Sequence, residues 1–116
     1  MGRRDHWLLA AAFAAVAAAA AATEPTSSPM LTQLLPNFTN AGHAQFELLV
    51  SGSGFQPDSV VRWKGLDRPT TVLTSDRVRA VIRADDVAMS GLAEVTVFNP
   101  GPVGRLSNAL VFNIRP

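Results

Sequence analysis

The sequence predicts an all-β protein, a small sandwich of about seven antiparallel strands. Short runs alternate apolar and polar residues, as in Phe46-Glu47-Leu48-Leu49-Val50 and Arg77-Val78-Arg79-Ala80-Val81-Ile82. That period of two belongs to strands with one buried face. Turn residues separate the runs at spacings of roughly 8–14 residues, among them Gly52-Ser53-Gly54, Pro57-Asp58-Ser59 and Asn99-Pro100-Gly101-Pro102. No helical period is sustained after residue 22.

Residues 1–22 stand apart from this pattern and read as a signal peptide. Arg3 and Arg4 supply a positive start, and Trp7 to Ala22 is an uncharged run. Ala20-Ala21-Ala22 before Thr23 fits a small-residue cleavage site, placing the cut between Ala22 and Thr23. The run has 16 residues, short of the ~17–25 a spanning helix needs. Its alanines are also weakly hydrophobic, so cleavage is expected rather than retention as an anchor. Asp5 and His6 follow the arginine pair, which favours the general secretory route over the twin-arginine one. Without a cysteine there is no lipid-anchored lipoprotein.

The remaining 94 residues suffice for one domain. The whole chain carries +1; removing Arg3, Arg4 and Asp5 leaves 8 basic and 8 acidic side chains, a net charge of zero. Such a balance argues against nucleic acid or an acidic membrane as partner, since both demand clustered positive charge. With no cysteine, stability must come from core packing.

Thr23 to Pro29 is polar and Pro-punctuated, a linker, and residues 30–116 form the domain. Its first strand begins at Met30 and ends at Pro36, which cannot continue a ladder. Asn37 to His43 is read as a loop; its Asn37-Phe38-Thr39 is a glycosylation acceptor only in a eukaryotic secretory pathway. The Phe46 strand follows, then Val60 to Lys64 closed by Gly65, a turn at Gly65 to Arg68, and an edge strand at Thr70 to Thr74. In Arg77 to Ala84, Val78, Ala80 and Ile82 take one face and Arg77, Arg79 and Arg83 the other. Asp85 to Gly91 suits one helical turn with Asp85 as its cap. Ala93, Val95 and Val97, then Leu110, Phe112 and Ile114, mark the inward faces of the last two strands. This spacing is that of an immunoglobulin-like sandwich.

Chemistry has little to work with. Beyond the leader, His43 is the only imidazole, and no nucleophile-elbow pattern surrounds any serine. One histidine cannot hold zinc. Asp85 and Asp86 are neighbours whose side chains diverge in an extended chain. Calcium would require Asp58, Asp67 or Asp76 to converge from separate turns, whereas aspartates ordinarily start turns. Gly52-Ser53-Gly54-Phe55 lacks the Lys-Ser/Thr of a phosphate cradle. No catalytic, metal or cofactor-binding residue is expected, and no cofactor.

Trp63 shares a face with Val61, as a core tryptophan between two sheets would. Its rival role is an exposed sugar-stacking ring rimmed by Arg62, Lys64 and Asp67. Phe46, Phe55, Phe98 and Phe112 are expected in the core. The arginine row would form a basic stripe, either a solvated face that discourages edge pairing or a contact for an acidic partner.

FELLVSGSGFQPDSVVRWKG, TSDRVRAVIRADDVAMSG and AEVTVFNPGPVGRLSNALVFNI together resemble an IPT/TIG domain. The specific elements are the Gly-rich turn at Val50 to Phe55, the strand Ser59 to Gly65 and the corner Val97 to Pro102. The resemblance covers Met30 to Pro116 and, with the Ala-rich leader, looks like the bacterial secreted or cell-surface branch. It implies an immunoglobulin-like fold and a non-enzymatic module for adhesion, protein contact or spacing at the cell envelope. The expected partner is a protein or glycan there, met either by the Thr70–Thr74 edge or by loops at one end, Asn37–His43, Gly65–Arg68 and Asn99–Ser107. The alternative is an accessory carbohydrate-binding module using Arg62, Trp63 and Lys64. After leader cleavage no stable membrane span is expected.

Overall fold

The computed structural model describes residues 28–116 and contains two facing sheets. The signal-peptide segment 1–22, the Ala22/Thr23 junction and residues 23–27 of the linker lie outside the described residues. The strands are β1 (Met30–Leu35), β2 (Phe38–Asn40), β3 (Phe46–Ser53), β4 (Val60–Trp63) and β5 (Leu66–Arg68), then β6 (Thr70–Thr74), β7 (Arg77–Ile82), β8 (Gly91–Asn99), β9 (Arg105–Leu106) and β10 (Leu110–Arg115). One sheet has the order β1-β3-β7-β6. The other runs β2-β10-β8-β4-β5, with β9 against β8.

Alternation places the core as the sequence predicts. Leu48 and Val50 of β3 and Val78, Ala80 and Ile82 of β7 face Val61 and Trp63 of β4, Ala93, Val95 and Val97 of β8, and Phe112 and Ile114 of β10. All are buried. At about 25 cal/mol per Å² of apolar surface removed from water, this interior is the main force holding a chain without disulfides.

Ten strands stand where about seven were expected, because three short ones lie in segments read as loops or turns. β2 pairs with β10, Phe38 opposite Asn113, and the pairing is parallel rather than antiparallel. The Asn113 N–H donates to the Asn37 carbonyl at 3.1 Å and the Ala41 N–H to the Arg115 carbonyl at 2.7 Å. β5 exists because the turn is only Lys64-Gly65, with φ of 53° and 83°. Left-handed backbone at both central residues matches strand twist, so Leu66 to Arg68 returns along β4 as a hairpin arm. β9 is a two-residue pairing, Leu106 with Phe98 and Arg105 with Asn99, inside the Pro-rich corner.

Four further expectations are corrected. Gly52 and Ser53 belong to β3 rather than to the turn; Gly52 lies under β1, where an added Cβ would sit 1.9 Å from the Met30 carbonyl oxygen. The helical turn is a 3-10 turn over Ala84–Val87 that starts from Arg83, not Asp85. Asp86 caps it, its Oδ2 accepting the Arg83 N–H at 3.0 Å. Arg83 therefore lies past the end of β7, and the basic row reduces to Arg77 and Arg79. Phe98 is not core: it lies on the outer face of β8, half-buried under Arg62.

Candidate functional site

Alternation along β4 decides the fate of Arg62, Trp63 and Lys64. Trp63 points inward, only 1% exposed, with its ring 5.2 Å from that of Phe112. Arg62 points outward, stacked 4.2 Å over Phe98 and paired with Asp67 at 3.0 Å. Lys64 is exposed in the turn. Neighbours on a strand face opposite sides, so the three do not form a common surface. The proposed ligand contact at Arg62, Trp63 and Lys64 is thus corrected: Trp63 is core, and no sugar-stacking ring stands at this position.

The loop cluster is also split. Asn37–His43 lies beside Arg115 and Val87, at the end of β10. Asn99 bonds Gly54 and Asn108 bonds Leu31, at the opposite end where β10 begins. Asn99–Ser107 is thereby parted from Asn37–His43, and Gly65–Arg68 is not a free loop but the turn and arm of the β4–β5 hairpin. His43 is exposed, its ring edge-on to Phe46. Among the described residues no three His, Cys, Asp or Glu side chains converge as metal ligands. No described helix is long and apolar enough to cross a membrane.

What the fold does bring together lies along β6, the outer strand of the four-stranded sheet. The Val81 N–H donates to the Pro69 carbonyl at 3.0 Å, and Thr71 stands opposite Arg79. In an antiparallel ladder alternate residues aim their N–H and C=O at the same neighbour. Residues 69 and 71 therefore face β7, and Val72 aims its backbone groups away from it. The register shifts between Val72 and Thr74, leaving Leu73 as the extra residue. The strand's start is closed: the Thr70 hydroxyl accepts from the Val61 N–H at 2.9 Å and donates to the Arg68 carbonyl at 2.7 Å. From Val72 onward the edge is open.

Beside this edge is a pocket of about 360 Å³ lined by Phe55, Pro57, Val72, Thr74 and Ser75, at the small end of the ~300–1,000 Å³ typical of ligand pockets. Its walls are fixed by polar bonds. The Phe55 N–H donates to the Ser75 carbonyl at 3.0 Å, joining the two sides. Buried Ser59 donates its hydroxyl to Asn99 Oδ1 and accepts the Gln56 N–H at 2.7 Å. Asn99 Nδ2 in turn donates to the Gly54 carbonyl at 2.8 Å. This knot holds the Gly54–Ser59 loop onto β8.

The remaining built feature is an ion pair. Arg68 donates from Nε to Asp86 Oδ2 at 2.8 Å and from Nη2 to Oδ1 at 2.6 Å. Burial pushes the Asp86 carboxyl up, but hydrogen bonds from Arg68 and the Arg83 N–H, with the charges of both arginines, hold it below the usual range. The group ties β5 to the 3-10 turn, a structural task.

No protein-family model and no curated protein matches the sequence. Solved structures do match in shape. The TIG domain of human nuclear factor of activated T-cells, cytoplasmic 4, superimposes with a TM-score of 0.53 and 20% identity, over 81% of this chain and 94% of that one. A putative phosphatase from Bacteroides thetaiotaomicron matches with a TM-score of 0.53 and 22% identity, over 81% of this chain. There the chain spans only 20% of the other's length, so the likeness is to one part of it. The described residues have the fold of an IPT/TIG immunoglobulin-like domain.

Proposed function

We propose that this chain is an exported, non-enzymatic contact module that holds another protein at or outside a bacterial cell envelope. Export rests on the leader's charge and apolar pattern. The fold, shared with a TIG domain, supports a binding or contact role in general. One observation carries the protein-contact reading: β6 presents open backbone groups from Val72 onward, with no charged side chain in Thr70–Thr74. Edge strands are usually guarded by Lys, Pro or strong bulging because an unpaired row of N–H and C=O groups recruits another strand. Here the guard is limited to the irregularity at Leu73. The glycan alternative has lost its aromatic platform, since Trp63 is internal.

The test uses the full chain in its own host, with a photo-reactive residue replacing Leu73 on the edge or Val111 on the outer sheet face. Illumination is expected to give a discrete heavier adduct from Leu73 only, in the envelope or culture-fluid fraction. A chain retained in the cytoplasm would overturn export. Equal adducts from both positions, or none, would overturn the edge as the contact.

A further inference from the structure

We infer that the β6 edge takes an extended segment of another protein whose inward residue is aliphatic and whose outward residues are acidic. This rests on the contact reading above and adds the chemistry of the partner. The backbone groups of Val72 match only another strand, so the occupant is extended. A residue paired with Val72 would direct its side chain to the same face as Val72, toward the pocket of Phe55, Pro57 and Val72. Those apolar walls suit an aliphatic side chain, and the Phe55–Ser75 bond fixes the two sides relative to each other before binding.

The outer face supplies the second requirement. Thr71 lies beside Arg79, and Arg79 beside Leu49, in one cross-strand row. A partner residue added opposite Thr71 would lie two strands, roughly 10 Å, from the Arg79 backbone, within reach of a long side chain. Arg79 is 42% exposed and its contact with Glu47 is loose, at 3.6 Å. Arg77 is exposed and, among the described residues, in no ion pair. Acidic residues on the outer face of the partner strand complement both.

The same charges argue against a second copy of this chain. Two β6 strands paired about Val72 would set Thr71 opposite Leu73, the residue without a partner in β7, and would gather Arg77 and Arg79 of both copies along one sheet face. Those four cations would meet only the loosely held Glu47 carboxylate of each copy. A hetero-partner avoids this.

The probe is the acetylated, amidated peptide Thr-Val-Glu-Leu-Glu-Val-Thr, titrated into residues 23–116 and followed by amide chemical shifts and hydrogen exchange. Shifts and new protection are expected at Val72 and Thr74. Leu→Ala at the peptide centre is expected to weaken binding at least fivefold, and Glu→Lys at both positions at least tenfold. Methylating the peptide nitrogens on the edge facing β6 is expected to abolish binding, and methylating the other edge to leave it. Binding at β6 that is indifferent to the central residue and to Glu→Lys overturns this inference while leaving the edge reading intact. No perturbation along β6 overturns both. Protection of Val72 that rises with protein concentration and no peptide would make the occupant a second copy, contrary to the inference.

Discussion

Arg68 clasps Asp86 with two hydrogen bonds, of 2.8 and 2.6 Å, across 18 positions of sequence. Both side chains are largely withdrawn from water, at 16% and 9% exposure. Asp86 also caps the 3-10 turn through the Arg83 N–H. Its carboxyl is depressed, so the unfolded state binds a proton more readily than the folded one. The stability it contributes is present above its ordinary value of 3.8 and lost as the pH falls below that toward the folded value. Asp86→Asn leaves Arg68 without its counter-charge and is expected to cost about 3 kcal/mol at neutral pH. Urea midpoints from pH 7 down to 2 check this: the gap between the two proteins should close below about pH 4.

Gly52 of β3 lies tight against the backbone of β1, opposite Leu31. A Cβ there would lie 1.9 Å from the Met30 oxygen and 3.0 Å from its carbonyl carbon, both backbone atoms that cannot rotate away. Gly52→Ala is therefore expected to push the strands apart and destabilise the domain by about 3 kcal/mol, the upper range of overpacking costs. Amide exchange should show the loss first in β1, at Leu31 to Leu34.

The Asn99 side chain joins two strand ends by accepting from Ser59 and donating to Gly54. It is 2% exposed, so removing it strands buried partners. Asn99→Ala is expected to cost about 2 kcal/mol. The Gly54–Ser59 loop should also loosen, seen as faster exchange of the Gln56 and Ser59 amides. Asn99→Asp retains the acceptor for Ser59 but sets a buried carboxylate oxygen against the Gly54 carbonyl, and is expected to cost at least as much as Asn99→Ala at neutral pH.

Much of this fold was legible because the side-chain period is two. Val78, Ala80 and Ile82, or Ala93, Val95 and Val97, declare an inward face without any neighbour being known. The edge at Thr70–Thr74 was legible for the same reason, as a β-branched run bounded by turns. β2, β5 and β9 were not, because two or three residues carry no period, and their pairing comes from partners far along the chain. Lys64 shows the limit well: its positive φ makes the β4–β5 hairpin, yet lysine is not a residue that announces left-handed backbone. The cap at Asp86 was misplaced by one residue because Asp85 is chemically identical and the bond to Arg68 is invisible locally. The pocket beside β6 was hidden altogether, since Phe55 and Val72 come to line it only through the Phe55–Ser75 bond, which local pattern does not reveal.

Trp63 gives the sharpest test of the sandwich interior. It is 1% exposed, packed on Phe112, and its indole Nε1 finds no acceptor among the described residues. In residues 23–116 it is the single tryptophan, so its emission reports one site. That emission is expected to be blue-shifted and poorly quenched by acrylamide; a red-shifted, readily quenched signal from a cooperatively folded sample would place the ring outside. Two substitutions separate size from polarity. Trp63→Ala removes the largest buried side chain and is expected to cost about 3–5 kcal/mol. Trp63→Phe gives up part of that packing but also deletes a buried donor whose unmet bond costs about 1–3 kcal/mol. The two effects oppose, so Trp63→Phe is expected within about 1.5 kcal/mol of the parent protein by chemical denaturation. A loss as large as that of Trp63→Ala would mean that Nε1 is bonded after all and that the indole holds the sheets together by more than its bulk.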